Sequence, residues 1–186
     1  MRSSTAVILL LWSLTLLSQT DDDTWCIEAF RKHYENHKID TLTTLLVKSS
    51  CVSSFPDEVF EMKNLERIFI DFHTLDPRTI PPQIGKLTKL TAISLIKANI
   101  VSIAPEFWNL TNLTSIQIDG NMNELPKEIG NLKNLRYLEL QLNLTSLPEE
   151  LQNLTQLRTL KLKNTKIPVE QIQRLRAKLP HCTILI

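Results

Sequence analysis

LRYLELQLNLTSLPEELQNLTQ, residues 135–156, is the stretch that decides how this chain folds. Its apolar residues are Leu135, Leu138, Leu140, Leu147, Leu151 and Leu154, with Asn143 between the two clusters. In the first cluster the period is two, so Leu138 and Leu140 point one way while Glu139 and Gln141 point the other, as in a strand. In PEELQNL the spacing is three, which suits a short helix or 3₁₀ turn with Pro148 at its first position. Each segment has one apolar face, and a single unit of this size cannot cover both faces.

The same string recurs along the chain. Strand-type starts are Leu42-Leu45-Val47, Leu65-Ile68-Ile70, Leu90-Ile93-Leu95, Leu113-Ile116-Ile118, Leu135-Leu138-Leu140 and Leu157-Leu160-Leu162, and Leu179-Cys182-Ile184 ends the chain. Successive starts lie 22 to 25 residues apart, a period that marks a solenoid. Each unit buries its apolar faces by stacking on the next. Strands then lie side by side as a parallel sheet, with the turns on the opposite side. Strands pack closer together than turns, so the stack curves with its sheet inside.

Between the starts stand Phe55-Pro56, Ile80-Pro81, Leu125-Pro126 and Leu147-Pro148, followed at helical spacing by Val59, Ile84, Ile129 and Leu151. With these residues the chain resembles the leucine-rich repeat family, in the bacterial-looking LPxxIGxLxxLxxLxLxxN variety, over residues 42–186. The resemblance implies an α/β fold: a curved solenoid with a parallel β-sheet on the concave face and short helices or 3₁₀ turns on the convex face. It also implies an asparagine ladder after the strands. The slots hold Ser50, His73, Ala98, Asn121, Asn143 and Thr165. Ser50 and Thr165 are expected to substitute in part, and Asn99 to serve one residue late in place of Ala98. The ladder should be looser in repeats one to three than in four and five.

The domain plan follows. Residues 1–20 carry one arginine, then an apolar run from Ala6 to Leu17 and small polar residues, which reads as a secretory signal peptide. Residues 21–41 lie outside the repeat. Asp21, Asp22 and Asp23 precede a helical stripe through Trp25, Cys26, Ala29 and Phe30, and the expected role is a helix capping the first repeat. Residues 42–186 hold six repeats and a terminal strand. Two extra residues near Asp76-Pro77-Arg78 should bulge the second repeat, and Pro168 should open a longer helix through Ile172, Leu175 and Leu179.

Composition narrows the function. The formal charge of +1 gives no electrostatic footprint for nucleic acid. Only three glycines occur, and neither GxGxxG nor GxxxxGK[ST] is present, so no phosphate loop is expected. Cys26 and Cys51 fall on adjacent elements. They are either two buried thiols or a disulfide closing about 26 residues, worth about 3 kcal/mol in the chain-entropy account. Cys182 fills a core slot and is expected to be a free, buried thiol. His33 and His37 have metal-pair spacing but lack a third ligand, and Asp71 with His73 lacks a nucleophile motif. No metal, cofactor or catalytic residue is expected. The catalytic domain that some bacterial leucine-rich effectors append is not expected either. The Asn-Leu-Thr sequons at Asn109, Asn112, Asn143 and Asn153 read as by-products of the repeat.

The inner face remains. Leu46, Phe69, Phe72 and Ile96 are apolar residues directed out of the core on adjacent strands, and such a patch with a polar rim signals an interaction surface. Asp71, Asp119, Tyr137, Glu139, Gln141 and Lys161 share that face, and Leu142 is also read as lying on it. Farther along, Arg136, Arg158, Lys161, Lys163 and Lys166 make a basic end suited to an acidic partner. The expected function is a secreted, non-catalytic module whose concave face docks an extracellular or host protein, with monomer favoured and no membrane span after signal cleavage. The expected location is secreted, periplasmic or cell-surface. The alternative is a structural or cell-envelope component binding glycan or wall polymer.

Overall fold

The computed structural model describes residues 6–11, 42–49, 55, 57–72 and 78–186. Its main element is an eight-stranded parallel sheet with strands in the order β1-β2-β3-β5-β7-β8-β9-β10. These are β1 (Ala6–Leu11), β2 (Leu42–Ser49), β3 (Arg67–Phe72), β5 (Ala92–Ile100), β7 (Ser115–Gly120), β8 (Tyr137–Gln141), β9 (Thr159–Lys163) and β10 (Thr183–Leu185). The short strands β4 (Thr79–Ile80) and β6 (Ser102–Ile103) pair separately. Among the described residues, five 3₁₀ turns, each of five residues, line the other side: Asp57–Glu61, Pro82–Lys86, Pro105–Asn109, Lys127–Asn131 and Glu149–Asn153. In the last two the proline stands just before the turn rather than inside it, as the N-cap.

The period-two pattern sets the register. Leu45, Ile68, Ile93, Ile116, Leu138, Leu160 and Ile184 lie opposite one another across seven strands, and all are buried. Each buried leucine or isoleucine contributes about 1.5–3 kcal/mol relative to exposure. The turn residues Val59, Ile84, Phe107, Ile129 and Leu151 close the core from the convex side, each at 0% exposure. Phe107 and Trp108 pack edge to face, with ring centroids 4.9 Å apart.

Polar ladders tie the coils together where the core cannot. Asn121 Nδ2 donates to Asn99 Oδ1, and Asn143 Nδ2 donates to Asn121 Oδ1 at 3.0 Å. Asn99 therefore takes the slot that Ala98 cannot fill. The slots of Ser50 and His73 lie outside the described residues. Thr165 does not continue the ladder, because its hydroxyl is buried without a hydrogen-bond partner. A second ladder runs along the rim before the strands. Asn112 Nδ2 donates to the Thr88 carbonyl at 2.8 Å, and Asn134 Nδ2 to the Thr111 carbonyl at 2.9 Å. Two of the four sequon asparagines, Asn112 and Asn143, thus hold structural positions.

Repeat three carries one residue more than repeat five between the last alternating core position, Leu95 or Leu140, and its ladder asparagine. That residue is Lys97, whose φ of 56° is the left-handed conformation a lysine seldom adopts, at a cost of about 1–3 kcal/mol. The register of β5 against β7 shifts between Leu95 and Ile100 at this bulge. Below it Gly120 approaches so closely that a Cβ there would lie 2.2 Å from the Ile100 carbonyl oxygen.

The far end is closed by α1 (Val169–Lys178), the expected longer helix. It buries Ile172 and Leu175 on the last turn. Gln171 completes the closure: its Nε2 donates to the Leu147 carbonyl at 2.8 Å and its Oε1 accepts from the Leu147 N–H at 3.0 Å. The side-chain amide stands where a next backbone would otherwise pair. Cys182 is a free thiol, but half-buried rather than fully buried; it packs on the core edge where the stack thins.

At the other edge, residues 6–11 of the expected leader form β1, which pairs in parallel with β2. The expected cap of residues 21–41, the Cys26 and Cys51 pair, His33, His37, His73 and the expected bulge at residues 76–77 lie outside the described residues. No described helix is long and apolar enough to cross a membrane.

Two substitutions test this account by equilibrium urea unfolding. Gly120→Ala should destabilise by about 3 kcal/mol, because backbone blocks the added methyl. Thr165→Val should stabilise by about 1 kcal/mol, because it removes an unpaired buried hydroxyl; a loss of stability would mean that the hydroxyl has a partner.

Candidate functional site

Alternation leaves every second side chain of the sheet on the inner face, and the parallel register aligns them in rows. The middle row reads Leu46, Phe69, Ser94, Gln117, Glu139, Lys161 and Leu185. The row toward the strand ends pairs Asp71 with Ile96, Asp119 with Gln141, and Gln141 in turn with Lys163. The third begins Thr44, Arg67 and Ala92 and continues to Tyr137 and Thr159.

The apolar patch is present. Phe69 and Ile96 are each 37% exposed and sit diagonally on neighbouring strands. Leu46 stands opposite Phe69 and is half-buried. Phe72 lies in β3, but its side chain is outside the described residues. Lys97 braces the patch: its backbone N–H donates to Asp119 Oδ2 at 2.9 Å, and its ammonium lies 3.3 Å from Asp71 Oδ1. The inserted residue thereby links acids on the two strands flanking its own and offsets the charge of Asp71 beside Phe69.

Farther along the face is a compact ionic cluster. Glu139 is only 6% exposed. Lys163 Nζ donates to its Oε1 at 2.6 Å, while Lys161 Nζ and the Tyr137 hydroxyl donate to its Oε2. Lys161 also lies 5.3 Å from the Tyr137 ring centroid, within cation–π range. Burial pushes the Glu139 carboxyl up, but the hydrogen bonds from Lys163 and Tyr137 and the charge of both lysines outweigh it and hold its pKa below the ordinary value. Hydrogen bonding to Tyr137 and the charge of Glu139 hold the Lys161 ammonium above its ordinary pKa. Two ammonium groups share one carboxylate, so the cluster keeps one positive charge.

The structure corrects parts of the expected surface. Leu142 is 1% exposed and belongs to the core; the chain turns after Gln141 and directs it inward beneath the ladder. Glu139 is on the inner face but lies at its floor, covered by the lysine stems and Tyr137. Ser94 is likewise 7% exposed, with its hydroxyl on Gln117 Oε1 at 3.1 Å. Asp71, Asp119, Tyr137, Gln141 and Lys161 are half-buried. The bracing role of Lys97 was missed by sequence reasoning; the extra residue before Asn99 is the signal that reveals it.

Comparison with solved structures gives the same architecture. A leucine-rich repeat protein of Leptospira interrogans superposes with a TM-score of 0.69 at 32% identity, over 79% of this chain and 38% of its own. The chain is a leucine-rich repeat protein. An internalin of Listeria monocytogenes matches with a TM-score of 0.59 at 17% identity, over 78% of this chain and 48% of its own. The plant peptide hormone receptor RGFR1, in complex with RGF2, matches with a TM-score of 0.56 at 25% identity, over 79% of this chain and 24% of its own. This leucine-rich repeat chain therefore spans less than half the length of each. No protein-family model matches it.

The ionic cluster sets a pH dependence. Glu139 has its folded pKa below the ordinary value, so its stabilisation is fully present above that value and is lost as pH falls through the folded pKa. In urea titrations, the stability difference between the native chain and Glu139→Gln should be largest near neutral pH and shrink on acidification below the ordinary glutamate range. A difference that is constant with pH would remove Glu139 as its source.

Proposed function

We propose that this chain is a secreted, non-catalytic protein-binding module whose concave face docks an extracellular or host protein after residues 1–20 are removed. The observation that carries the reading is the exposure of Phe69 and Ile96 on neighbouring strands of a sheet whose other face is all core. Apolar and aromatic side chains at the centre of a polar-rimmed face supply most of the energy of a protein contact. The neighbour RGFR1 is a receptor seen in complex with RGF2, which supports a binding role for this architecture. A bound partner would cover Phe69, Ile96 and the half-buried Leu46, Asp71, Asp119 and Gln141.

The glycan reading has less support. Carbohydrate favours a row of exposed aromatic rings. Among the described residues the inner face offers Phe69 and Tyr137, and the Tyr137 ring is occupied by Lys161 and its hydroxyl by Glu139.

The mature chain applied to an array of extracellular proteins and to a glycan array separates the two. Protein hits should weaken about 30-fold with Ile96→Asp and about 10-fold with Phe69→Ala, a hot-spot loss of about 1.4–2 kcal/mol, with the melting temperature unchanged. Protein binding untouched by both variants, or binding confined to glycans, would refute the reading.

A further inference from the structure

The middle row of the inner face changes character along the stack, and this polarity constrains the partner beyond the general docking role on which the inference rests. At one end are Leu46 and Phe69, with Ile96 beside them. In the centre are Ser94 and Gln117, uncharged and hydrogen-bonded to each other. At the other end are Lys161 and Lys163, anchored on Glu139. We propose that the partner is an extended peptide segment laid across the strands, with a bulky apolar side chain on Phe69 and Ile96 and a carboxylate side chain on Lys161 and Lys163.

Three features support this occupant. First, the two ends differ in charge. Beside the patch, Asp71 is paired with the Lys97 ammonium and Asp119 accepts the Lys97 backbone N–H, so one negative charge remains at this end and a second carboxylate is disfavoured there. Lys161 and Lys163 share one carboxylate and keep N–H donors toward solvent, so a second carboxylate is welcome. Secondly, Gln117 spends its oxygen on Ser94 and keeps its amide N–H groups for a carbonyl. An extended segment presents open backbone carbonyls, whereas a helix has satisfied its own. Thirdly, the spacing is set by the sheet. Phe69 and Lys161 are four strand steps apart, about 19 Å at about 4.8 Å per step, which an extended chain covers in about six residues at about 3.3 Å each.

The probe is a display library of random twelve-residue peptides panned against the full chain. Enriched peptides should carry a large apolar residue and an Asp or Glu about six positions apart. A synthetic representative should bind at least 10-fold more weakly to Phe69→Ala. Charge reversal at Lys161 and Lys163 is made in a Glu139→Gln background, so that no buried carboxylate is left unpaired, and folding is checked by melting temperature. The variant Glu139→Gln/Lys161→Glu/Lys163→Glu should bind the peptide at least 10-fold more weakly than Glu139→Gln alone, the reference that keeps both lysines. A peptide with its acid replaced by lysine should bind the reversed variant. Enriched peptides without an acid, or binding indifferent to the reversal, would overturn the inference. If no peptide is enriched but array proteins bind through Phe69 and Ile96, the extended segment is wrong and the docking face stands. If neither binds, both readings fall.

Discussion

Leu138 sits between Ile116 on one strand and Leu160 on the next, and the same lateral contact repeats from Leu45 to Ile184. Everything else in the molecule depends on this alignment. A slip of one residue would turn the whole apolar set to the inner face and bury charges in its place. The alignment also fixes the convex side, because the 3₁₀ turns meet only when their strands are in step. Stability is therefore shared between neighbours rather than held by any one coil.

Such a stack tolerates an inserted residue between the last alternating core position of a strand and the ladder asparagine. Repeat three uses it. Lys97 is accommodated in a left-handed conformation, while Ala98 still fills the core and Asn99 still joins the ladder. The bulge carries a backbone N–H to Asp119 and an ammonium to Asp71. Strain in the backbone is thus coupled to charge arrangement on the inner face beside Phe69 and Ile96. The opposite end of that face has another constraint. Glu139 is buried and tolerable only because three donors converge on it, so Lys161, Lys163 and Tyr137 are positioned by it as much as they satisfy it.

The ends of the stack solve a different problem. A coil without a neighbour leaves apolar surface and open backbone groups. At the far end, α1 covers the surface and Gln171 pairs with the Leu147 backbone. A period of 22 residues carries no information about such closures, because they occur where the repetition stops. The role of Gln171 was invisible in the sequence, although the helix that carries it was readable from Ile172, Leu175 and Leu179.

The sequence alone determined the period, the two apolar faces of each coil, the parallel sheet and the exposure of Phe69 and Ile96, because alternation at every second residue is a local property of the chain. It also marked Asn99 as the substitute in the ladder. Only the tertiary structure decided what happens across strands. It sent Leu142 into the core, lowered Glu139 to the floor of the face, left the Thr165 hydroxyl unpaired and set Lys97 between two acids. These outcomes depend on side chains some 22 residues apart meeting at strand spacing, and neither hydrophobic period nor composition encodes which polar groups will face one another.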